Sequence, residues 1–180
     1  MTNSSAINPS NSAPRKTPLL VLLMGVSSSG KTTIGEILAK QTGAIFADAD
    51  DYHSAANKQK MASGHPLNDD DREPWLETLN DLLKSWFESH TSGILACSAL
   101  KEKYRVTLMK GLPKGAVHVV LLELSRETLE KRMKARSHEF MNPALLDSQI
   151  ATLEVPTDAL RVVNDRSPQK VVEQIVAQLQ

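Results

Sequence analysis

One eight-residue segment, GVSSSGKT at residues 25–32, limits the folds that this chain can adopt. It follows a continuous apolar run at residues 19–24 and leads into residues 31–42, where Ile34 and Leu38 recur at helical spacing. A short continuous apolar run is typical of a strand that is buried on both faces of a parallel sheet. The segment therefore predicts a buried strand, a tight loop and a helix, in that order.

The loop in this segment matches G-x-x-x-x-G-K-[ST], the pattern of phosphate-binding P-loops. Glycine lets the backbone turn tightly, so that successive N–H groups point toward a phosphate at the positive end of the following helix. Lys31 is placed to reach the β- and γ-phosphates of a nucleotide, and the Thr32 hydroxyl to reach Mg²⁺. We predict that the loop binds the phosphates of a nucleotide through Gly25, Val26, Ser27, Ser28, Ser29, Gly30, Lys31, Thr32 and Thr33.

Ser28 stands at a variable position of this pattern, where many such loops carry another glycine. Its side chain is expected to point away from the phosphates or to add a hydrogen bond. If the Ser28 backbone is left-handed, it carries a small strain, because L-residues disfavour that conformation. We therefore expect a working phosphate-binding loop despite the serine.

The rest of the chain alternates apolar strand-like runs with helical segments. Strands are predicted at residues 19–24, 44–47, 93–98, 117–123 and 161–163, and helices at residues 31–42, 54–61, 73–89, 101–109, 126–135, 143–152 and 168–180. This alternation predicts an α/β fold with a central parallel five-stranded sheet flanked by helices and joined by right-handed crossovers. Ligands of such sheets bind at the carboxyl ends of the strands, which is where the predicted loop lies.

Composition predicts a polar N-terminal tail followed by one domain. Residues 1–17 are rich in Ser, Asn and Pro and predict a disordered tail, whereas residues 18–180 suit a single domain. Lys+Arg and Asp+Glu are balanced at 21 each, so no overall charge favours nucleic acid or an anionic membrane. Cys97, the single cysteine, is expected to be a buried strand residue and fits a reducing, cytoplasmic compartment.

A P-loop alone leaves several classes of nucleotide-dependent protein open. GTPases need an N-K-x-D motif and a D-x-x-G switch; the nearest match, NKQK at residues 57–60, lacks the Asp, and no D-x-x-G occurs. The chain is also short for a motor domain. These observations favour a kinase of a small metabolite.

Two carboxylates, Asp48 and Asp50, follow the second predicted strand. We expect this strand to lie beside the strand that precedes the P-loop. One carboxylate can then hold Mg²⁺ or its waters, and the other can accept the proton of an acceptor hydroxyl. The alternative is an ordinary acidic loop without a catalytic role.

Three longer motifs narrow the class further: DADDYH at residues 48–53, KMASGHPLNDDDREPWL at residues 60–76 and CSALKEKYR at residues 97–105. Together with the P-loop they resemble the gluconate kinase family, the ATP-dependent gluconokinases, which are related to shikimate and adenylate kinases. The resemblance continues through LLDSQ at residues 145–149 and TLE at residues 152–154. It implies a P-loop kinase fold that uses ATP and Mg²⁺ to phosphorylate the 6-hydroxyl of D-gluconate, with no nucleic acid or membrane partner and a possible homodimer.

The resemblance also implies roles for individual residues. Asp50 would face the acceptor hydroxyl as base or orienting residue, and Asp48 would lie with Thr32 near Mg²⁺. The planar guanidinium of Arg72 suits the gluconate carboxylate. The predicted substrate-binding residues are Asp50, His53, Lys60, Asn68, Asp71, Arg72, Lys101 and Arg105, and the predicted catalytic residues are Lys31, Asp50 and Arg136. Lys101 and Arg105 could instead be surface charges, and which of residues 69–71 meets the substrate is open.

A lid is expected at about residues 136–143, after the helix that follows the fourth strand. By resemblance, Arg136 would meet the phosphates and Arg132 the nucleotide; a basic helix end is the alternative. The chain departs from the family pattern R-x-G-H-F, because His138 stands at the glycine position and Glu139 at the histidine position. The lid path is therefore expected to differ. Two other functions stay open: a kinase of another sugar acid or polyol, and a catalytically weak ATP-binding regulatory protein.

Overall fold

The protein is seen in a computed structural model that describes residues 17–135 and 143–179. Within them one parallel sheet contains the strands β1 (Leu20–Met24), β2 (Ile45–Asp48), β3 (Gly93–Ala96), β4 (Val117–Glu123) and β5 (Leu160–Val163). The predicted parallel five-stranded sheet is confirmed. The predicted tail, apart from residue 17, and residues 136–142 of the expected lid lie outside the described residues.

The order of the strands corrects one expectation. The sheet runs β2-β3-β1-β4-β5, so β3 lies between β1 and β2, and the two strands that were expected to be neighbours are not. The physical reason is burial: every residue of β3 is buried, as an interior strand requires, whereas β2 is partly exposed and suits the edge of the sheet. The carboxyl ends of β1 and β2 still open on the same side of the sheet.

Helices cover both faces of the sheet. Their bounds are α1 (Lys31–Thr42), α2 (Ala55–Ala62), α3 (Asp69–Glu88), α4 (Glu102–Met109), α5 (Arg126–Ala135), α6 (Pro143–Thr152) and α7 (Pro168–Leu179), with a short 3₁₀ helix at Ala49–Tyr52. Because successive strand side chains point to opposite faces, β1 contributes to two cores. Val21 and Leu23 pack with residues of α1 and α7, whereas Leu20 and Leu22 pack with residues of α3 and α4.

The start of α3 is the largest difference from the predicted boundaries. The helix begins at Asp69 rather than at residue 73, because Asn68 and Asp71 form a capping box. The Asn68 side chain accepts from the Asp71 N–H, and the Asp71 carboxylate accepts from the Asn68 N–H, so two N–H groups at the helix start are satisfied. Pro74 consequently lies inside the helix rather than at its start. The other observed boundaries lie within one or two residues of the predicted ones.

Candidate active site

The P-loop connects β1 to α1, and both of its motif glycines are needed for its path. Gly25 has φ 149° and Gly30 has φ 97°, angles that glycine adopts far more readily than other residues. A Cβ atom on Gly25 would lie 2.8 Å from the Leu122 carbonyl oxygen, and one on Gly30 would lie 2.4 Å from Nδ2 of Asn164. The loop therefore packs closely against β4 and against the residue that follows β5.

Lys31 and Thr32 stand at the start of α1 and connect the loop to its surroundings. The Lys31 ammonium donates to the carbonyl oxygens of Gly25 at 2.9 Å and Val26 at 3.1 Å, so it lies across the loop. The Thr32 hydroxyl donates to Oδ2 of Asp48 at 2.9 Å. This hydrogen bond brings the end of β2 to the phosphate-binding loop, although β3 separates their strands in the sheet.

Ser28 adopts the left-handed backbone that its position made possible, with φ 64°. The residue is buried, and among the described residues its hydroxyl has no hydrogen-bond partner. Both features cost free energy, because a left-handed L-residue is strained and a buried unpaired hydroxyl loses its hydration. The strain that was expected for a left-handed Ser28 therefore applies.

Ser28→Gly is expected to raise the free energy of unfolding by about 1 kcal/mol, because it removes both the strain and the unpaired hydroxyl. Urea denaturation of the two proteins measures this difference. Ser28→Ala is the matched control, since it removes the hydroxyl but keeps the Cβ atom that causes the strain. A Ser28→Gly protein that is no more stable than Ser28→Ala would show that the backbone at residue 28 is not strained.

Asp48 and Asp50 lie beside the loop, Asp48 as the last residue of β2 and Asp50 on the 3₁₀ helix that follows it. Oδ1 of Asp48 accepts the Asp50 N–H at 3.0 Å, while its Oδ2 accepts from Thr32. The pKa of Asp50 is raised, first by desolvation from the surrounding protein and then by the negative charge of Asp48. The Asp50 side chain is nonetheless 87% exposed, so a hydroxyl group of an acceptor can reach its carboxylate.

His53 and Trp75 form the wall next to Asp50. Their rings stack with centroids 4.2 Å apart, and the Trp75 indole N–H donates to the Ala49 carbonyl at 2.7 Å. Nε2 of His53 lies 3.9 Å from Oδ1 of Asp50, and within the described part of the chain its buried Nδ1 has no hydrogen-bond partner. Desolvation lowers the pKa of His53; the negative charge of Asp50 opposes this shift, and the charges of Arg72 and Lys58 add to it. The ring is therefore neutral near pH 7.

Three cationic side chains, those of Arg72, Lys101 and Lys103, lie close to the Tyr104 ring. The Arg72 guanidinium lies 5.7 Å from the Tyr104 ring centroid, and the Lys101 ammonium lies 5.5 Å from it. Asp69 accepts from the Tyr104 hydroxyl and from Lys103 at short distance, and these hydrogen bonds hold the pKa of its carboxyl well below its usual range. Asp69 thus contacts this cluster directly, whereas the sequence alone did not show which of residues 69–71 would contact the substrate.

Several of the residues predicted to bind substrate already have structural partners. Asn68 and Asp71 form the capping box of α3, and Asp71 also accepts from the Lys60 ammonium at 2.6 Å. The Arg105 guanidinium is buried and donates to the carbonyl oxygens of Ala99 at 2.8 Å and of Leu100 at 3.2 Å. Direct substrate contact by Asn68, Asp71 and Arg105 stays a prediction.

A cavity opens beside the phosphate-binding loop at Ser28 and Gly30. It has a volume of about 340 Å³ and is lined by residues that include Gly30, Thr33, Arg132, Asn164 and Arg166. Arg132 donates to the Asn164 carbonyl at 2.8 Å, and the Asn164 side chain donates to the Ser29 carbonyl at 2.7 Å. Arg132 was predicted from the sequence, whereas Asn164 was not, since its one signal is its place directly after β5. Arg136 lies outside the described residues.

Gln149 also contacts the phosphate-binding loop, and this contact was not predicted from the sequence. Its side-chain oxygen accepts the Ser27 N–H at 2.7 Å, and its side-chain nitrogen donates to the Ser27 hydroxyl at 2.9 Å. The signal that could have found it is the LLDSQ segment, which ends at this residue. Cys97 is buried, as predicted, although it lies directly after β3 rather than within it. Desolvation raises the pKa of its thiol to about 12, which does not suit a nucleophile.

Comparisons with known proteins agree with this geometry. Residues 20–156 match the AAA domain family. A protein named Probable gluconokinase from Dictyostelium discoideum is 44% identical over 78% of this chain and 72% of its own length. The Thermosensitive gluconokinase of Escherichia coli (strain K12) is 45% identical over 85% of this chain and 83% of its own length. The chain belongs to the gluconokinase family.

A solved gluconokinase from Sinorhizobium meliloti 1021 has the same fold, with a TM-score of 0.80 at 36% identity over 92% of this chain and 93% of that one. The family resemblance and the P-loop kinase fold that the motifs predicted are thereby confirmed. As a P-loop kinase of this family the chain uses ATP. In residues 17–135 and 143–179 no helix has both the length and the apolar character needed to cross a membrane.

Proposed function

We propose that this member of the gluconokinase family transfers the γ-phosphate of ATP to the 6-hydroxyl of D-gluconate, giving 6-phospho-D-gluconate and ADP. One observation carries the proposal. The Asp48 carboxylate accepts hydrogen bonds both from the Thr32 hydroxyl, at the end of the phosphate-binding loop, and from the backbone N–H of Asp50, whose own carboxylate faces solvent. A phosphate site and an acceptor site are thus joined through one side chain, in a chain whose relatives are named gluconokinases.

On the nucleotide side, the phosphates would bind the N–H groups of residues 25–33 and the Lys31 ammonium. Lys31 already lies across the loop, so it would exchange the carbonyl groups of Gly25 and Val26 for phosphate oxygens. The cavity beside Gly30 would hold the nucleoside, with Arg132 against it. We propose that Arg136 meets the transferring phosphate from the lid side.

Thr32 and Asp48 would hold Mg²⁺ on this side of the site. A hydroxyl and a carboxylate are the hard oxygen ligands that Mg²⁺ takes, usually together with waters and phosphate oxygens. Their 2.9 Å hydrogen bond already brings the two groups together. When bound, the ion would neutralise charge on the phosphates. Activity is accordingly expected to require a divalent cation.

On the acceptor side, the carboxylate of gluconate would pair with Arg72 and Lys101 next to Tyr104. His53 and the Lys60 ammonium would contact hydroxyl groups, and Asp50 would accept the proton of the 6-hydroxyl. Asn68 and Asp71 would act by holding the start of α3, which carries Arg72, and Arg105 by holding the loop before Lys101. A homodimer and a cytoplasmic location stay predictions.

The test is a coupled assay of ADP release from the purified full chain, run with gluconate, other aldonates, shikimate and glucose. The proposal expects gluconate to give the highest kcat/KM and 6-phosphogluconate to be the product, with activity lost when EDTA removes Mg²⁺. Turnover of gluconate no better than that of shikimate or glucose would contradict it. ATP binding without turnover of any acid would instead favour a regulatory protein.

A further inference from the structure

The segment from Gln149 to Glu154 has no role in the function proposed above, yet it holds two parts of the site. At its first end, the Gln149 amide makes two hydrogen bonds to Ser27, one to the backbone N–H at 2.7 Å and one to the hydroxyl at 2.9 Å. Ser27 belongs to the phosphate-binding loop but lies 122 positions away in the chain. A side-chain amide that uses both its oxygen and its nitrogen on one residue fixes the position of that residue.

The second end of the segment holds the start of α4. The Glu154 N–H donates to the Leu100 carbonyl at 2.8 Å, and the Glu154 carboxylate accepts the Glu102 N–H at 2.5 Å. Lys101, the N-cap residue of α4, provides no side-chain cap. Glu154 therefore supplies from elsewhere in the chain the negatively charged acceptor that a helix start favours. Lys101 and Tyr104, which lie at this helix start, belong to the proposed acceptor site.

The helix that leads into this segment is anchored in the core. Leu146 of α6 is buried in a cluster with Val26, Leu100 and Leu129. Within the segment the partly buried Leu153 packs against the same cluster, whereas Ile150 is exposed. The Leu153 N–H donates to the Gln149 carbonyl at 3.0 Å, so the helical hydrogen bonding continues past the end of α6. Through Leu153 the segment thus packs against a cluster that contains Val26 of the phosphate-binding loop and Leu100 of the loop before α4.

We propose that residues 149–154 are a brace that fixes the distance between the phosphate-binding loop and the start of α4, with Gln149 and Glu154 as its positioning residues. This inference rests on the proposed function. Phosphoryl transfer depends mainly on the alignment of donor and acceptor, and a misplacement of about 1 Å can cost 10²-fold in rate. Loss of an anchor therefore lowers kcat, while each substrate keeps its own ligands and its KM changes little.

Kinetics of the full chain test the brace. Gln149→Ala and Glu154→Ala are each expected to lower kcat for gluconate phosphorylation about tenfold, with both KM values within about threefold of wild type. Loss of one anchor already frees the brace. The kcat of the double variant is therefore expected to equal that of either single variant, rather than to fall by about 100-fold. Glu154→Gln keeps an acceptor for the Glu102 N–H and is expected to recover most of the rate. Ser148→Ala, an exposed position on the same helix, is the matched control.

A second measurement separates failure of the brace from failure of the proposed function. Amide exchange by NMR in the nucleotide-free protein follows the N–H groups of Ser27 and Glu102 without any acceptor. Gln149→Ala is expected to accelerate exchange not only at Ser27 but also at Glu102, at the far end of the brace. Acceleration at Ser27 alone, or multiplicative losses of kcat in the double variant, would overturn the brace. A wild-type protein that does not phosphorylate gluconate would overturn the proposed function and leave the exchange test decisive.

Discussion

Lys31→Ala is expected to lower kcat/KM for gluconate phosphorylation by about 10³-fold and to leave the protein folded. The lysine lies across the phosphate-binding loop, within hydrogen-bond distance of two loop carbonyl groups. A positive charge fixed at this point would stabilise the charge that spreads over the phosphoryl oxygens during transfer, and removal of one such donor commonly costs 10²–10³-fold. The coupled ADP-release assay measures the loss, and circular dichroism and thermal unfolding measure the fold.

Lys40→Ala is the matched control for this prediction. Lys40 is also a lysine of α1, but it is exposed in the last turn, away from the loop. Its loss is expected to change kcat/KM less than twofold, which would exclude a general effect of net charge or of helix stability. A Lys31→Ala protein that keeps more than about a tenth of the wild-type kcat/KM would remove Lys31 from the catalytic mechanism.

The parts of this fold that depend on neighbouring residues could be predicted from the sequence. The bounds of α1 agree with the prediction, because a glycine-rich loop begins the helix and Gly43 ends it with φ 69°. The order of the strands could not be predicted in the same way, since pairing joins segments that are far apart in the chain. The one available signal was burial: β3 is apolar throughout and β2 is not.

The same difference between local and long-range contacts applies to the candidate site. The family resemblance placed Thr32 and Asp48 together near Mg²⁺, and the two side chains form a hydrogen bond, although the expected pairing of their strands is wrong. Gln149 and Asn164 were missed, since each is a single polar side chain that reaches the loop over more than a hundred positions. No periodicity or motif of the P-loop indicates such a contact.

Asn68 and Asp71 show a different limit. The same residue types hold sugar hydroxyls and cap helices, because both tasks need short side chains with acceptor oxygens. Only the position of the helix start distinguishes the two uses. From the sequence, α3 was predicted to begin at residue 73, whereas it begins at Asp69. A start at Asp69 makes Asn68 the N-cap and gives both residues a structural task.

Asp50→Asn is expected to lower kcat for gluconate phosphorylation by about 10²-fold while KM for ATP stays the same or falls. The substitution keeps the shape of the side chain but removes its capacity to take the proton of the 6-hydroxyl, a contribution that is typically 10²–10⁴-fold. The lower end applies because the transition state of phosphoryl transfer is loose and places little demand on a base. Loss of the negative charge beside Asp48 also removes repulsion toward the phosphates, so ATP binding is not weakened.

Asp51→Asn is the control that isolates this effect, because Asp51 is an exposed carboxylate on the same 3₁₀ helix and one position further along the chain. Steady-state kinetics with gluconate varied at saturating ATP give kcat for the three proteins. If Asp50 serves as the base, Asp50→Asn alone loses rate, since Asp51 has no contact with the acceptor in the proposed arrangement. Equal losses in both variants would mean that the negative charge of the turn, rather than proton transfer to Asp50, supports the reaction.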